Sequence, residues 1–178
     1  MKGTLTRAGL AFALAAGSMI LGFASPAGAA VNSCKTLNGT ATFTPGLTTT
    51  AKAQTISAKG SLAGCAPASQ TGGSGTLVST IKTKPDSCQT LLKGGETNKG
   101  TSKVTWKNKK TSSIAITLKT GTGKSYNIAT VSGTVTAGLF KGHKISGQLK
   151  FTPKSGQNCT TVPIKNVTFT GTKPFTMV

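Results

Sequence analysis

Few titratable residues in this sequence could perform acid–base or nucleophilic chemistry. After residue 29 the chain has one histidine, His143, and two carboxylates, Asp86 and Glu96. A two-carboxylate hydrolase would have to use Asp86 with Glu96, but no aromatic sugar platform accompanies them. A Ser-His-Asp triad would need His143, whose Lys-Gly-His-Lys context is typical of an exposed turn. We therefore predict a protein that is not an enzyme and needs no cofactor.

Two short matches to catalytic motifs lack the context that their chemistry requires. The segment 123–125 (Gly-Lys-Ser) resembles the end of a phosphate-binding loop, but the first glycine of that motif is absent and strand patterns follow. The segments 79–82, 119–121 and 125–127 match the three motifs of penicillin-binding enzymes. Their order is wrong, and the serine motif lies in a strand pattern instead of opening a helix.

Four cysteines, Cys34, Cys65, Cys88 and Cys159, form an even set. Zinc binding is disfavoured because the spacings contain no C-x-x-C and the chain has a single histidine. An even number of cysteines indicates disulfides if the chain is exported, as residues 1–29 predict below. We predict two disulfides and no metal site.

One aromatic residue lies among cations and is a candidate ligand contact. Trp106 alternates with Lys103 and Lys107, and an aromatic ring beside lysines can stack on a sugar or a base. Trp106 is two residues from Val104 and shares its face of the predicted strand, which instead predicts that the Trp106 side chain lies in the core. Tyr126 is included with these three residues as a possible ligand contact.

The charge of the chain is strongly one-sided. Without Lys2 and Arg7, 19 of the 21 basic residues remain, all lysines, against two acidic residues, which is a formal charge of +17. Such a charge favours polyanionic partners such as cell-envelope polymers. Lysine does not read bases bidentately as arginine does, so we expect no sequence-specific nucleic-acid binding. The alternative is that this charge, which looks scattered along the sequence, serves solubility alone.

Period-2 alternation of apolar with Thr, Ser and Lys residues recurs along the chain. It predicts a single all-β domain of about eight antiparallel strands, folded as a β-sandwich or a flattened barrel. At most one short helix is expected, near 86–93, within a long connection over 85–102. A phase change predicts a bulge near 129–130, and glycines within the strands indicate strong sheet curvature.

The first two predicted strands also suggest how the cysteines pair. Strands over 35–43 and 52–62 form a hairpin whose centre lies midway between Cys34 and Cys65. An antiparallel hairpin brings these two residues together, as a disulfide requires. We therefore predict Cys34–Cys65 and, by elimination, Cys88–Cys159.

Residues 1–29 have the three parts of a secretory signal peptide: a basic start, an apolar run over 8–23 and small residues before Ala30. The run is shorter than the roughly 20 residues that span a bilayer. We expect cleavage before Ala30, a mature domain over 30–178, secretion, and no membrane span after cleavage.

The sequence resembles small exported all-β proteins of high-GC Gram-positive bacteria. The resemblance rests on the segments 25–30 and 104–106, on Cys34 and Gly64-Cys65 around the first hairpin, and on Gly138-x-Phe140-x-Gly142 before Gly147. It implies export and an all-β fold, and it transfers no functional site. The expected function is association with anionic envelope or extracellular polymers. The alternative is a protein-binding module or inhibitor that uses loops at one end of the domain.

Overall fold

The computed structural model describes residues 31–178, which form eight antiparallel strands and two short helices. The predicted signal peptide over 1–29 lies outside the described residues. The strands are β1 (Asn32–Leu47), β2 (Lys52–Ala66), β3 (Ser74–Asp86), β4 (Thr97–Trp106), β5 (Thr111–Thr120), β6 (Ile128–Gly138), β7 (Lys144–Pro153) and β8 (Ile164–Met177). The helices are α1 (Ala68–Thr71) and α2 (Cys88–Lys93), and a 3-10 turn covers Gly123–Ser125.

Each strand pairs with its neighbours in sequence, and β1 pairs with β8, so the sheet closes into a barrel. The closing seam is antiparallel and pairs Asn38 with Thr170 and Ala41 with Val167. The predicted all-β fold of eight strands is confirmed. Of the two predicted forms, the structure adopts the barrel.

The alternation of residue types separates the inside of the barrel from its outside. On β5, Ile114, Ile116 and Leu118 are buried, whereas Ala115 and Lys119 are exposed. Threonine suits the outer positions because its β-branch favours extended backbone while its hydroxyl remains in water. The buried apolar side chains form one continuous cluster along the barrel axis.

Some strand glycines lie where a side chain would strike the neighbouring strand. A Cβ atom on Gly39 would collide with the carbonyl oxygen of Lys59, and one on Gly133 with that of Ala115. Close approach of the neighbouring backbone therefore requires glycine at these two positions.

Both predicted disulfides are present. Cys34 and Cys65 are direct partners across the β1–β2 ladder, with their Cα atoms 3.8 Å apart. Cys88, at the start of α2, is joined to Cys159 in the β7–β8 connection, with Cα atoms 6.0 Å apart. The residues that the structure describes contain no free cysteine.

The predicted helix near 86–93 is confirmed as α2. Its N-cap is Ser87, whose side chain accepts a hydrogen bond from the backbone N–H of Thr90 at 3.2 Å. Gly94 ends the helix, and its N–H donates to the carbonyl groups of Thr90 and Leu91.

Three details differ from the sequence-based expectations. A second helix, α1, follows Pro67 and was not predicted, because four residues give no readable helical period. Strand β4 begins at Thr97, so the connection after β3 is shorter than the expected 85–102. The register of β5 with β6 shifts between Ser113 and Ile114, not near 129–130. Near 129–130, the apolar residues change phase because the chain passes there from the 3-10 turn into β6.

Neither helix within residues 31–178 has the length and apolar character needed to cross a membrane.

Candidate ligand-binding cavity

The barrel encloses a cavity of about 310 Å³ between its centre and the end that carries α2. Its walls are mostly aliphatic and aromatic side chains from all eight strands. An eight-stranded barrel is just wide enough for its side chains to fill it or for one small ligand to occupy it. The sizes of the inward-facing side chains therefore decide whether space remains.

Space remains because four consecutive strands place small residues inward at the same level. Ala41, Ala58, Ser79 and Ser102 are direct partners in register from β1 to β4, and all four line the cavity. We call them the small-residue row. Ser79 and Ser102 hydrogen-bond to each other, so their hydroxyl groups are satisfied within the wall. The small-residue row therefore leaves empty volume inside the barrel and adds no unpaired polar atom to it.

The end of the barrel away from α2 is closed by packed large side chains. The Trp106 indole is 1% exposed and donates from Nε1 to Ser112 Oγ at 2.9 Å. Ser112 in turn donates to the Leu139 carbonyl oxygen at 2.6 Å. The Phe140 ring packs edge-on against Trp106, with the ring centroids 5.9 Å apart. A ligand therefore has to enter from the α2 end.

At the α2 end, side chains from the helix and two connections form the rim of the cavity. Leu91 and Leu92 of α2, Tyr126 before β6 and Asn158 in the β7–β8 connection all line it. Leu92 and Tyr126 are also 53% and 38% exposed, so apolar surface continues from the cavity to the solvent. The Cys88–Cys159 disulfide ties α2 to the β7–β8 connection across this rim.

Polar side chains are few inside the cavity, and most are satisfied. Thr120 bonds through its hydroxyl to the backbone N–H of Glu96 at 3.0 Å. Asp86, at the end of β3, is 6% exposed and lines the cavity, and its Oδ1 atom has no hydrogen-bond partner. Asn98 of β4 is likewise buried and lines the cavity. The Oδ1 atom of Asp86 is therefore an acceptor that the protein itself leaves unused.

Burial raises the pKa of Asp86 above its ordinary value of 3.8, because the charged carboxylate loses hydration. The nearby charge of Glu96 raises the pKa further, whereas the adjacent backbone N–H of Ser87 lowers it. The folded protein consequently favours the neutral carboxyl group over a wider pH range than the unfolded chain does.

We expect the substitution Asp86→Asn to stabilise the unliganded protein at neutral pH. Between pH 3.8 and the raised pKa the folded state binds more protons than the unfolded state, so its stability falls as the pH rises. Asparagine removes this cost. We therefore expect the free energy of unfolding to rise by about 1 kcal/mol, which corresponds to roughly 2–4 °C in Tm. Below pH 3.8 the gain should vanish. Thermal melts of the variant and the wild type from pH 3 to 8 measure it.

The matched control is Glu96→Gln, which removes the other carboxylate from a half-buried position. The gain in stability from Glu96→Gln should be smaller, because this change removes only the part of the free-energy cost that the charge of Glu96 imposes on the ionised Asp86. A stability difference between Asp86→Asn and wild type that is constant with pH would contradict the assignment.

The residues proposed from sequence as ligand contacts do not come together. Trp106 is buried at the closed end, where its only polar atom is bonded to Ser112. Lys103 and Lys107 point outward from the β4 region and are exposed. Tyr126 alone lies at the cavity, on its rim.

The remaining candidates for chemistry are also separated. His143 lies in the turn before β7 and packs against Phe140 at the closed end, with ring centroids 6.4 Å apart. Asp86 lies at the opposite end of the barrel. Within residues 31–178 no three His, Cys, Asp or Glu residues are grouped so that they could hold a metal ion.

Sequence reasoning missed the cavity, although the sequence carries a signal for it. Ala41 and Ala58 are inward-facing partners on β1 and β2, and both line the cavity. Two small residues opposite each other inside a barrel leave volume empty, whereas the space beside the neighbouring pair, Gly39 and Gly60, is taken by the ring of Phe169.

The lysines occupy the outside of the barrel, and all 19 within residues 31–178 are exposed. They are not evenly scattered. Lys82 of β3 is paired directly with Lys99 of β4, and Lys119 of β5 is the partner of Thr97, two residues from Lys99. We call Lys82, Lys99 and Lys119 the lysine row.

Comparisons with protein-family models, with curated protein sequences and with solved structures found no match to this chain.

Proposed function

We propose that this protein is an exported, non-enzymatic carrier that binds one small, largely apolar molecule inside its barrel. The observation that supports this proposal is the apolar cavity of about 310 Å³ with a rim at the α2 end. Ligand sites in proteins are typically concave, mostly apolar and provided with a few polar groups, and they begin at about 300 Å³. Export is supported by the signal-peptide pattern of residues 1–29 and by the two disulfides.

The volume limits the size of the ligand. An apolar cavity of about 150 Å³ holds one benzene molecule. At that ratio the cavity accommodates roughly 12 non-hydrogen atoms, which corresponds to a medium-length alkyl chain or one or two small rings.

A series of straight-chain 1-alkanols, titrated by calorimetry, tests this proposal. Each added methylene group contributes about 0.8 kcal/mol when buried, so affinity should rise about fourfold per carbon. The rise should stop at about 11 carbons, where the alcohol reaches the size limit of roughly 12 non-hydrogen atoms. Binding at one site per chain with this size limit supports the carrier function. Absence of saturable binding, or affinity that keeps rising with chain length, contradicts it.

A second candidate function, attraction of polyanions, is favoured by the lysine row. Like charges directly opposite on neighbouring strands destabilise a sheet, and a bound polyanion relieves that repulsion. No arginine is present beyond residue 7, which suits delocalised attraction better than shape-specific recognition.

We expect binding to mixed-sequence duplex DNA, used here as a generic polyanion, to weaken log-linearly with salt. Replacing the lysine row by glutamine should flatten the salt slope by roughly 0.9 for each lysine that contacts a phosphate. The matched control replaces three exposed lysines distributed over β1, β7 and β8, namely Lys35, Lys144 and Lys173. Fluorescence anisotropy between low and physiological salt measures both triple variants.

If both triple variants lose the same amount of DNA affinity, the attraction of DNA is spread over the whole surface and is not concentrated at the lysine row. No binding to DNA at low salt would exclude polyanion attraction and leave solubility as the role of the charge.

A further inference from the structure

We infer that the molecule carried in the barrel bears a hydroxyl group, which lies at the α2 end of the cavity and donates a hydrogen bond to Asp86. This inference rests on the proposed carrier function and specifies the chemistry of the ligand. It starts from the unpartnered Oδ1 atom of Asp86, which is enclosed in the protein and belongs to a side chain that lines the cavity.

A buried polar group without a partner costs free energy that a protein does not normally carry. The neighbouring polar groups of the cavity do not satisfy Asp86. Ser79 and Ser102 bond to each other, and Thr120 bonds to the Glu96 backbone. A rotation of the Asp86 side chain toward the cavity that it lines would bring Oδ1 to a ligand donor and remove the cost, and the rest of the ligand would be covered by the apolar walls.

The position of Asp86 also sets the orientation of the ligand. Asp86 closes β3 immediately before the cap of α2, so it lies near the rim, whereas the small-residue row lies deeper in the barrel. A ligand that donates to Asp86 therefore places its polar group near the rim and its apolar part against Ala41 and Ala58.

The electrostatics of the site favour a hydroxyl group over charged alternatives. A ligand carboxylate would lie beside Asp86 and near Glu96, both acidic. An ammonium group would need an ionised Asp86 and would have to enter a chain with a formal charge of +19. A hydroxyl group donates to Asp86 whether the carboxyl group is neutral or ionised, and it also accepts from the neutral form.

The test compares two isomers, 1-octanol and heptyl methyl ether, which have the same size and differ in whether they can donate a hydrogen bond. Calorimetric titration of the wild-type protein should give about tenfold tighter binding of 1-octanol, the contribution of one hydrogen bond. In Asp86→Leu the two isomers should bind equally. Glu96→Gln, which removes a carboxylate that does not line the cavity, should keep the preference for the alcohol.

The outcomes separate this inference from the function on which it rests. If neither isomer binds, the carrier function fails and the hydroxyl assignment fails with it. If both bind equally to the wild type, the cavity is a ligand site but the preference for a ligand hydroxyl group that donates to Asp86 is refuted. Tighter binding of octylamine than of 1-octanol at neutral pH would overturn the hydroxyl assignment in favour of a cation. Because the wild type alone decides these outcomes, the test does not depend on the folding of Asp86→Leu.

Discussion

Replacement of Ala58 by phenylalanine should abolish ligand binding and leave the barrel folded. Ala58 lies in the centre of the small-residue row, between Ala41 and Ser79, and its side chain faces the cavity. A benzyl group at this position occupies the volume that the ligand needs. We expect the affinity for 1-octanol to fall at least about a hundredfold, since the burial of several methylene groups is lost.

The same substitution should raise stability, because it fills empty space instead of overpacking a filled core. Cavity-filling changes commonly contribute about 0.5–2 kcal/mol. Calorimetric titration and chemical denaturation of the same sample measure both effects. Opposite changes in binding and stability would identify the cavity as a volume that the sequence keeps open at a cost in stability.

The matched control is Ala63→Phe, which adds the same group on the same strand. Ala63 points outward and is exposed, so this variant should bind 1-octanol as the wild type does. Retained binding by Ala58→Phe would place the ligand outside the barrel and contradict the carrier proposal.

Loss of the Cys88–Cys159 disulfide should destabilise the protein and also speed the release of ligand. The bridge closes a loop of 71 residues, and the chain-entropy model assigns about 4.4 kcal/mol to such a loop. For a domain of this size that corresponds to a decrease of roughly 9–18 °C in Tm. The double variant Cys88→Ala/Cys159→Ala, measured by thermal melting, tests the first effect.

The kinetic effect follows from the position of the bridge. Helix α2 has six residues, far fewer than the roughly 12–15 that an isolated helix needs in water. Its place on the rim therefore depends on Leu91 and on the disulfide. Without the bridge the rim should open more often, and stopped-flow displacement of a bound alkanol should show a higher dissociation rate.

The other disulfide is the control for this effect. Cys34–Cys65 closes 31 residues at the far end of the barrel, which corresponds to about 3.7 kcal/mol in the same model. Its removal should lower Tm by a comparable amount without changing the dissociation rate. Equal acceleration in both double variants would mean that release depends on global stability and not on the rim.

Much of the fold is readable from sequence because the relevant signals are local. The alternation of Ile114, Ile116 and Leu118 with polar residues requires only neighbouring positions to identify β5. The pairing of Cys34 with Cys65 follows from the symmetry of one hairpin. The helix α2 was predicted because a cap, two leucines and a pair of glycines occur within ten residues.

The closed barrel and its cavity depend on relations that no short segment contains. Whether eight strands form a sandwich or a barrel is decided by the pairing of β1 with β8, near opposite ends of the domain. The small-residue row is likewise assembled from four strands, so no single strand reveals it. From sequence alone, either Asp86 or Ser87 could cap α2; in the structure Ser87 makes the capping bond, and Asp86 lines the cavity.

The seam between β1 and β8 has a consequence for when the cavity forms during folding. Every other ladder joins strands that are neighbours in sequence and can form early as a hairpin. The seam must bring together segments separated by most of the domain, and such non-local contacts form slowly. Until β8 docks, β1 and β7 present unpaired edges that are prone to intermolecular pairing. We therefore expect the cavity to form in the last step of folding, together with the protection of the strand edges.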